Sequence, residues 1–188
     1  MREQIVSFIR AKKAGGLSEN TLRAYENDLR EFESFVLDKK LKISDLEVEN
    51  IRDWLYAASQ AGAQKSTIAR KTASIRSFSK FLFETGQAPI DPAAKLRSPK
   101  LSRTLPKTAN AKFLEGLLAS LRESAIRGEH DQRLNWVIIE LLYSTGMRVS
   151  ELVTLQPKDI DFDRQTLSVV GKGNKQRTIP FGKPALEA

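Results

Sequence analysis

Apolar residues recur every three or four positions along the first part of the chain, a spacing that predicts helices packed on one face. A short stripe of Ile5, Phe8 and Ile9 ends at Gly15-Gly16, a pair that favours chain reversal. Ser18 is then placed to cap a second helix, whose core-facing stripe consists of Leu22, Tyr25, Leu29, Phe32, Phe35 and Val36. The chain is therefore predicted to open with two amphipathic helices.

Two further helices are predicted before Gly86. Ser44 and Glu47 have the spacing of a capping box before a stripe formed by Val48, Ile51, Trp54 and Leu55. Ser66 is placed to cap the fourth helix, whose stripe is formed by Ile68, Ile75, Phe78 and Leu82. The pattern predicts a mainly α protein that begins with a four-helix bundle.

The periodicity stops at Gly86, and four prolines then punctuate a stretch rich in Lys and Arg. We therefore predict a bundle over residues 1–88, a basic linker over 89–107 and a second domain over 108–188. The second domain starts with two helical patterns, one from Phe113 to Leu121 and one from Leu134 to Leu142. It continues with a β-prone run at 166–170 and a partner strand at 178–180, joined by a hairpin loop, so it is predicted to be α+β.

The net charge of +8 is concentrated in one segment. Between Lys65 and Lys107 there are ten basic residues and two acidic ones, Glu84 and Asp91, whereas the rest of the chain is balanced. A solvated basic face is the plainer explanation, but the confinement of the surplus favours double-stranded DNA as a partner. The predicted DNA-binding residues are Lys65, Arg70, Lys71, Arg76, Lys80, Lys95, Arg97, Lys100 and Arg103.

Composition excludes several other classes of protein. The chain has no cysteine and a single histidine, His130, so neither a disulfide framework nor a zinc site of thiolates or imidazoles is expected. It has no apolar run near the length of a membrane span and no signal peptide at its start. We expect a cytoplasmic protein without a metal, a cofactor or a membrane partner.

Two strings in the second domain carry residues that suit phosphate chemistry. Arg148 follows Gly146 near the predicted start of a helix, where its planar guanidinium is placed to clamp a phosphate. Lys172 lies in the glycine-flanked loop 171–175, from which a lysine can reach a leaving oxygen. From spacing alone, an Arg148–Glu151 surface ion pair and a solubilising β-turn are the simpler interpretations.

Taken together, the strings resemble the tyrosine site-specific recombinases of the phage integrase family, particularly the Xer type. The resemblance is carried by Thr-Gly-Met-Arg-Val-Ser-Glu-Leu at 145–152, Asp-Ile-Asp at 159–161 and Gly-Lys-Gly-Asn-Lys-Gln-Arg at 171–177. Residues 20–29 are similar to the family's N-terminal DNA-clamping domain, a SAM-like core-binding bundle. The likeness covers nearly the whole chain and makes Arg148 and Lys172 the predicted catalytic residues.

The resemblance implies a specific chemistry. Such enzymes cut one DNA strand through a 3′-phosphotyrosyl intermediate and rejoin it without metal or nucleotide, which splits one hard step into two. By resemblance, Arg148 stabilises charge on the nonbridging oxygens, Lys172 protonates the leaving 5′-oxygen, and Glu151 supports the site. The basic residues are expected to line DNA as the two domains close around it. Other protomers in a tetramer on two duplexes, and a DNA translocase, are the further partners implied.

The sequence also departs from the family's pattern. A later His-x-x-Arg, a further His or Trp and the nucleophilic tyrosine do not follow Lys172. We therefore expect an N-terminal portion of a longer recombinase, monomeric and inactive alone. The alternative is a truncated relative that binds recombination sites without cutting. A helical transcription repressor is a third hypothesis, which leaves the hairpin lysines unexplained.

The histidine and the tyrosines that are present do not fill those gaps. Residues 130–133 read His-x-x-Arg but precede the arginine string, so we interpret the match as accidental and His130 as a loop residue. Tyr25 and Tyr143 lie in apolar helical patterns that predict core packing, and neither they nor Tyr56 is predicted to be the nucleophile. The DNA site and the biological role, chromosome-dimer resolution or mobile-element transfer, stay open.

Overall fold

Helices make up most of the chain, as predicted, with a small antiparallel sheet near its end. The computed structural model describes residues 1–101, 108–128, 130–171, 173 and 175–188, apart from the side chains of Ser44 and His130. The helices are α1 (Arg2–Ala14), α2 (Glu19–Asp38), α3 (Val48–Gln60), α4 (Lys65–Glu84), α5 (Ala111–Arg127), α6 (His130–Thr145), α7 (Val149–Val153) and α8 (Lys183–Glu187). The strands are β1 (Ile160–Asp161), β2 (Thr166–Val170) and β3 (Gln176–Pro180). Within those ranges, no helix has the length and apolar character needed to cross a membrane.

The chain divides into two compact units, Met1–Thr104 and Leu105–Ala188. Helices α1 to α4 form the first unit, and α5 to α8 with the sheet form the second. This agrees with the predicted helical bundle followed by an α+β domain. The exact boundaries given above for the bundle, linker and second domain stay a prediction.

Each helix of the first unit contributes a buried aromatic residue to one core. Phe8 of α1 meets Phe78 of α4 edge to face, with ring centroids 5.5 Å apart. Phe32 of α2 meets Trp54 of α3 in the same way at 5.0 Å. All four side chains are at most 4% exposed, so the stripes predicted from three- and four-residue spacing do converge.

A carboxylate is buried beside that core. Asp28 of α2 is 2% exposed, and its Oδ2 accepts a hydrogen bond of 2.6 Å from the hydroxyl of Ser74 on α4. Its Oδ1 accepts from the guanidinium of Arg70 and lies 3.7 Å from the ammonium of Lys71. Because a buried charge is costly unless it is paired and hydrogen-bonded, this cluster fixes how α2 and α4 pack.

The segment after α4 packs against the first unit at its start. Ala93 is fully buried and Leu96 is 7% exposed, both within the core of the bundle. Asp91 accepts hydrogen bonds from the hydroxyl of Ser79 on α4 and from the backbone N–H of Ala93. The predicted linker over 89–107 therefore does not begin as a free connection, because its first residues complete the core of the bundle.

The second unit has a smaller core, formed between the sheet and the helices around it. Its most buried apolar residues are Met147, Leu167, Val169, Phe181 and Ala185. The strands follow the order β1-β2-β3, and the predicted hairpin of β2 and β3 is confirmed. The sequence analysis did not predict β1 or α8. Both elements are short, and Ala185 is the one residue of α8 that is buried in this core, so neither element has a periodic apolar pattern.

Helix caps were predicted with mixed success. Ser18 caps α2, because its hydroxyl accepts from the N–H of Thr21 at 3.4 Å. Ser66 does not cap α4, since the helix already begins at Lys65 after an extended Gln64. The predicted box at the start of α3 is also wrong by one turn: Glu47 itself is the capping residue, and its N–H donates to Asn50 at 2.9 Å.

Two predictions about single residues of the second unit were wrong. His130 is the first residue of α6 and is not part of a loop. Tyr143 is 51% exposed and does not pack in the core; it lies beside a depression between α5, α6 and α8, which no described element covers. Tyr25, in contrast, is packed against the core and stacks on Phe8 at 6.2 Å, as predicted.

Candidate active site

Arg148 lies in a tight turn between two helices. Gly146 adopts φ +62°, a left-handed conformation that glycine tolerates best, and ends α6. Met147 is 5% exposed and anchors the turn in the second core. Arg148 then takes the N-cap position of α7, so the prediction that it sits at the start of a helix is confirmed.

Glu151 is the buried acceptor of this turn. It is 4% exposed, and its Oε2 accepts the backbone N–H of Arg148 at 2.8 Å. Its Oε1 accepts from Nη1 of Arg148 at 2.9 Å. The ion pair expected from the three-residue spacing therefore exists, and the carboxylate holds both the backbone and the side chain of Arg148.

A second arginine reaches the same carboxylate from the sheet. Nη1 and Nη2 of Arg177 donate to Oε1 and Oε2 of Glu151 at 2.7 and 2.8 Å, a bidentate pair. These contacts, followed by the hydrogen bond from the Arg148 backbone, lower the pKa of Glu151 from 4.5 to about 2. The same contact raises the pKa of Arg177. Glu151 is thus a carboxylate at every pH at which the protein is expected to work.

The lysine hairpin begins next to this cluster. Gly171 follows β2, and its N–H donates to the carbonyl of Lys175 at 2.8 Å, which closes the loop. A Cβ added to Gly171 would lie 3.1 Å from Nη1 of Arg177 and 3.4 Å from Oε1 of Glu151. The arginine turn and the hairpin therefore converge, as the predicted active site requires. Lys172 itself lies outside the described residues, and its role stays a prediction.

The arrangement leaves a cation available at the surface. The side chain of Arg148 is 65% exposed, and in the described part of the chain only Glu151 accepts from its guanidinium. Two arginines around one carboxylate leave a net charge of +1. The remaining donors of Arg148 can therefore bind the nonbridging oxygens of a phosphodiester.

The lowered pKa of Glu151 predicts a pH-dependent stabilisation of the second unit. Because the folded pKa is below the ordinary one, the contribution is complete above about pH 4.5 and is lost as the pH falls towards 2. Glu151→Gln should therefore destabilise the second unit at pH 6 and cost much less near pH 3. Urea unfolding followed by the fluorescence of Trp136, with Trp54 replaced by Phe, measures this.

Glu123→Gln is the matched control, because Glu123 forms an exposed pair with Arg127 one turn away. It should change stability little at either pH. If the cost of Glu151→Gln is the same at pH 3 and pH 6, the carboxylate does not depend on its arginine partners in the way the geometry indicates.

Three of the predicted DNA-binding residues share one exposed face of α4. Lys65, Arg76 and Lys80 are all exposed, and a helix places them within about 60° of one another around its axis. Lys95, Arg97 and Lys100 are exposed in the segment that follows α4. We call the first three the α4 basic face. Contact of these six residues with DNA stays a prediction, and Arg103 lies outside the described residues.

Lys71 does not belong to that face. It is 4% exposed, its ammonium pairs with Glu31, and it lies 5.1 Å from the centroid of the Trp54 ring. The reason is helical geometry: Lys71 precedes the buried Ile75 by four residues and the buried Phe78 by seven, and so falls in the core stripe. Its burial contradicts the prediction that it lines DNA.

Arg70 is intermediate between the two cases. Its side chain is 42% exposed, but its guanidinium is held by Asp28 and lies 3.4 Å from the carbonyl of Ala24. It is available to solvent on one side only. Arg70 is therefore not counted in the α4 basic face, since its Nη1 is engaged in the packing of α2 on α4.

Arg177 is the residue of this site whose role the sequence analysis missed. In the sequence it stands out only as the last residue of the string at 171–177. The signal was present in the strand pattern: Arg177 stands opposite the buried Val169, and Ile179 stands opposite the buried Leu167. Directly opposed residues share a face of a sheet, so an arginine at this position starts on the inner face, where its guanidinium reaches a buried acceptor although 40% of its side chain stays exposed.

Comparison with known proteins agrees with this architecture. Residues 6–86 match the phage integrase N-terminal SAM-like domain, and residues 112–188 match the phage integrase family. The chain belongs to the phage integrase family, the tyrosine recombinases. It is 40% identical over 173 residues to tyrosine recombinase XerC of Mycobacterium tuberculosis (strain ATCC 25177 / H37Ra) and 38% identical to that of Mycobacterium leprae (strain TN). Each match covers 92% of this chain and 58% of the relative, so the chain spans less than two thirds of their length.

Solved structures show the same fold at lower identity. A λ integrase dimer bound to a COC′ core site matches with a TM-score of 0.73 and 17% identity, over 99% of this chain and 64% of that one. The Tn1549 transposon integrase in complex with circular intermediate DNA matches with a TM-score of 0.69 and 21% identity, over 98% and 61%. These likenesses establish the fold of the chain.

Proposed function

We propose that this chain supplies the DNA-holding bundle and the arginine part of the active site of a site-specific DNA recombinase. The observation that carries the proposal is the Arg148 guanidinium, which is exposed and is oriented by a buried carboxylate that lies beside the base of the hairpin carrying Lys172. The membership of the phage integrase family and the names of its relatives support the same assignment.

The proposed reaction is phosphoryl transfer through a covalent intermediate. A tyrosine hydroxyl attacks the scissile phosphorus, the bond to the 5′-oxygen breaks, and a 3′-phosphotyrosyl bond forms. Arg148 donates to the nonbridging oxygens as negative charge builds on them, and Lys172 gives a proton to the leaving 5′-oxygen. One phosphodiester is exchanged for another, so no nucleotide is consumed. We place the nucleophile outside residues 1–188.

The partners implied by the family complete the proposal. Double-stranded DNA binds the α4 basic face and the cations at 95–100, and further protomers assemble on two duplexes as a tetramer. A DNA translocase is the proposed regulator, and the cytoplasm is the proposed site of action. The complexes of λ integrase and Tn1549 integrase with DNA support the choice of DNA as substrate.

The proposal is tested by completing the active site. Residues 1–188 are joined to the part of Mycobacterium tuberculosis XerC that lies beyond the matched region, and the chimaera is incubated with a nicked duplex carrying the relative's recombination site. We expect a covalent protein–DNA adduct, which Arg148→Lys should reduce about a hundredfold, because a lysine cannot reproduce the paired donors. Denaturing gel electrophoresis measures the adduct.

Arg133→Lys is the control, as an exposed arginine of α6 for which no ion pair is described. It should leave the adduct unchanged, and the unfused 188-residue chain should form none. An adduct from the unfused chain would show that the nucleophile lies within it. A chimaera that binds the duplex without forming an adduct, or that cuts equally well with Arg148→Lys, contradicts the proposed function and favours a non-catalytic DNA-binding module.

A further inference from the structure

We infer that Arg177 is a positioning residue of the proposed active site: it clamps the Glu151 carboxylate from the hairpin and thereby fixes the direction of the Arg148 guanidinium. The inference rests on the proposed function, in which Arg148 binds the scissile phosphate. Arg177 is placed in this role by its contacts within the protein and not by any contact with DNA.

The first step of the argument is the geometry of the carboxylate. Arg177 uses both of its terminal nitrogens on the two oxygens of Glu151, at 2.7 and 2.8 Å. A bidentate pair fixes the plane of a carboxylate, which a single contact does not. Arg148 then receives one oxygen for its backbone N–H and the other for Nη1. Without Arg177, only the two hydrogen bonds from Arg148 itself hold the carboxylate, so the group that orients the exposed Arg148 guanidinium is no longer fixed from the sheet.

The second step is the position of Arg177 on the hairpin. It stands opposite Val169, whose side chain is 2% exposed, so the strand pairing directs Arg177 to the inner face of the sheet. Glu151 lies 26 residues earlier, at the start of α7. Their ion pair therefore ties the turn that carries Arg148 to the hairpin that carries Lys172, the two segments that must meet at one phosphate.

The third step is the space left for this contact. Gly171 has no side chain, and a Cβ there would come within 3.1 Å of Nη1 of Arg177, closer than most real contacts of a Cβ. The neighbouring carboxylate oxygen would be 3.4 Å away. The φ of Gly171 is not in the left-handed region, so backbone conformation does not require a glycine here. The glycine is needed because a side chain would crowd the ion pair. The base of the hairpin is thus shaped around the Arg177–Glu151 pair.

The test uses the 188-residue chain with Arg177→Met, and Arg164→Met as the matched control. Arg164 belongs to the same unit and its side chain is 84% exposed. It lies 3.9 Å from its partner Asp161, so it does not hold that carboxylate in place as Arg177 holds Glu151. In carboxyl-detected NMR titrations, Arg177→Met should raise the pKa of Glu151 by about 1 to 3 units, and Arg164→Met should leave it unchanged. The Nε–H resonance of Arg148 should broaden or move towards that of a free side chain with Arg177→Met only.

A double-mutant cycle on DNA binding then separates positioning from direct contact. Arg177→Met should weaken binding of a short duplex about threefold to tenfold in the otherwise native chain, and should cost nothing further once Arg148→Met is present. Fluorescence anisotropy at fixed, low salt measures the four affinities. If Arg177→Met does not fold, Arg177→Lys replaces it in the cycle, since it keeps the charge but loses the paired donors.

Each outcome decides the inference. An unchanged Glu151 pKa or an unchanged Arg148 resonance overturns it. A cost of Arg177→Met that is equal with and without Arg148 overturns it as well, because Arg177 would then contact DNA itself. If Arg148→Met alone leaves the affinity unchanged, the proposed phosphate contact fails, whereas the two NMR readouts still show whether Arg177 orients Arg148.

Discussion

Binding of the 188-residue chain to duplex DNA is expected to weaken about a thousandfold when monovalent salt rises from about 50 to 200 mM. The α4 basic face and the exposed Lys95, Arg97 and Lys100 offer six cations to DNA phosphates. Each neutralised phosphate releases condensed counterions, which gives a slope of log affinity against log salt of about −5. Fluorescence anisotropy across a salt series measures this slope.

Two variants that lose the same number of charges show which surface of the protein causes the salt dependence of DNA binding. Replacing Lys65, Arg76 and Lys80 together by Gln should reduce the slope by about 3, because three phosphate contacts are lost. The control replaces three exposed cations elsewhere on the first unit, Arg10, Lys40 and Lys42, and should leave the slope nearly unchanged. Equal losses from both variants would mean that net charge, and not the α4 basic face, holds the DNA. An affinity that barely responds to salt would exclude the phosphate-binding surface altogether.

Asp28→Ala is expected to destabilise the first unit by about 3 to 5 kcal/mol, the second large effect that the structure predicts. The substitution removes the acceptor shared by Arg70 and Ser74 and leaves the buried ammonium of Lys71 with Glu31, whose side chain is 62% exposed. Lys71 keeps only a partner at the surface, and its buried ammonium and the Ser74 hydroxyl lose their buried acceptor, which costs more than the intact cluster contributes. Urea unfolding followed by Trp54 fluorescence, with Trp136 replaced by Phe, isolates the first unit.

Glu26→Ala is the matched control on the same helix. Glu26 pairs with Arg30 at 2.6 Å across one turn at the surface, where such pairs contribute little, so we expect a change below about 1 kcal/mol. A similar small change for Asp28→Ala would contradict the account of the buried cluster. It would mean that Glu31 and the backbone carbonyl of Arg70, which already accept from Lys71 and Ser74, satisfy both groups when the carboxylate is absent.

Local patterns were sufficient to predict most of the helices and the hairpin. The stripe from Leu22 to Val36 and the β-prone run at 166–170 became α2 and β2, because helix and strand periodicities depend on neighbours within a few residues. Caps were less predictable. Ser66 and Glu47 offer the right atoms, but which residue ends the extended backbone depends on how the preceding loop packs.

Burial of single polar or aromatic residues was the weakest part of the prediction. Tyr143 follows an apolar pattern and yet is half exposed, since burial depends on whether another element covers that side of the helix. Lys71 was grouped with its basic neighbours although its spacing from Ile75 and Phe78 placed it in the core stripe. In both cases burial was decided by which residues of other elements pack against that side of the helix.

The sequence by itself determined the helical stripes, the segment that holds the surplus charge and the pairing of Arg148 with Glu151, because each depends on residues within a few turns of one another. Only the tertiary structure decided that Arg177 reaches Glu151 from 26 residues away and that Lys71 is buried against Asp28 and Trp54. The physical reason is the same in both cases: a buried charge must find its partner in space, and the partner comes from another element whose position is set by packing.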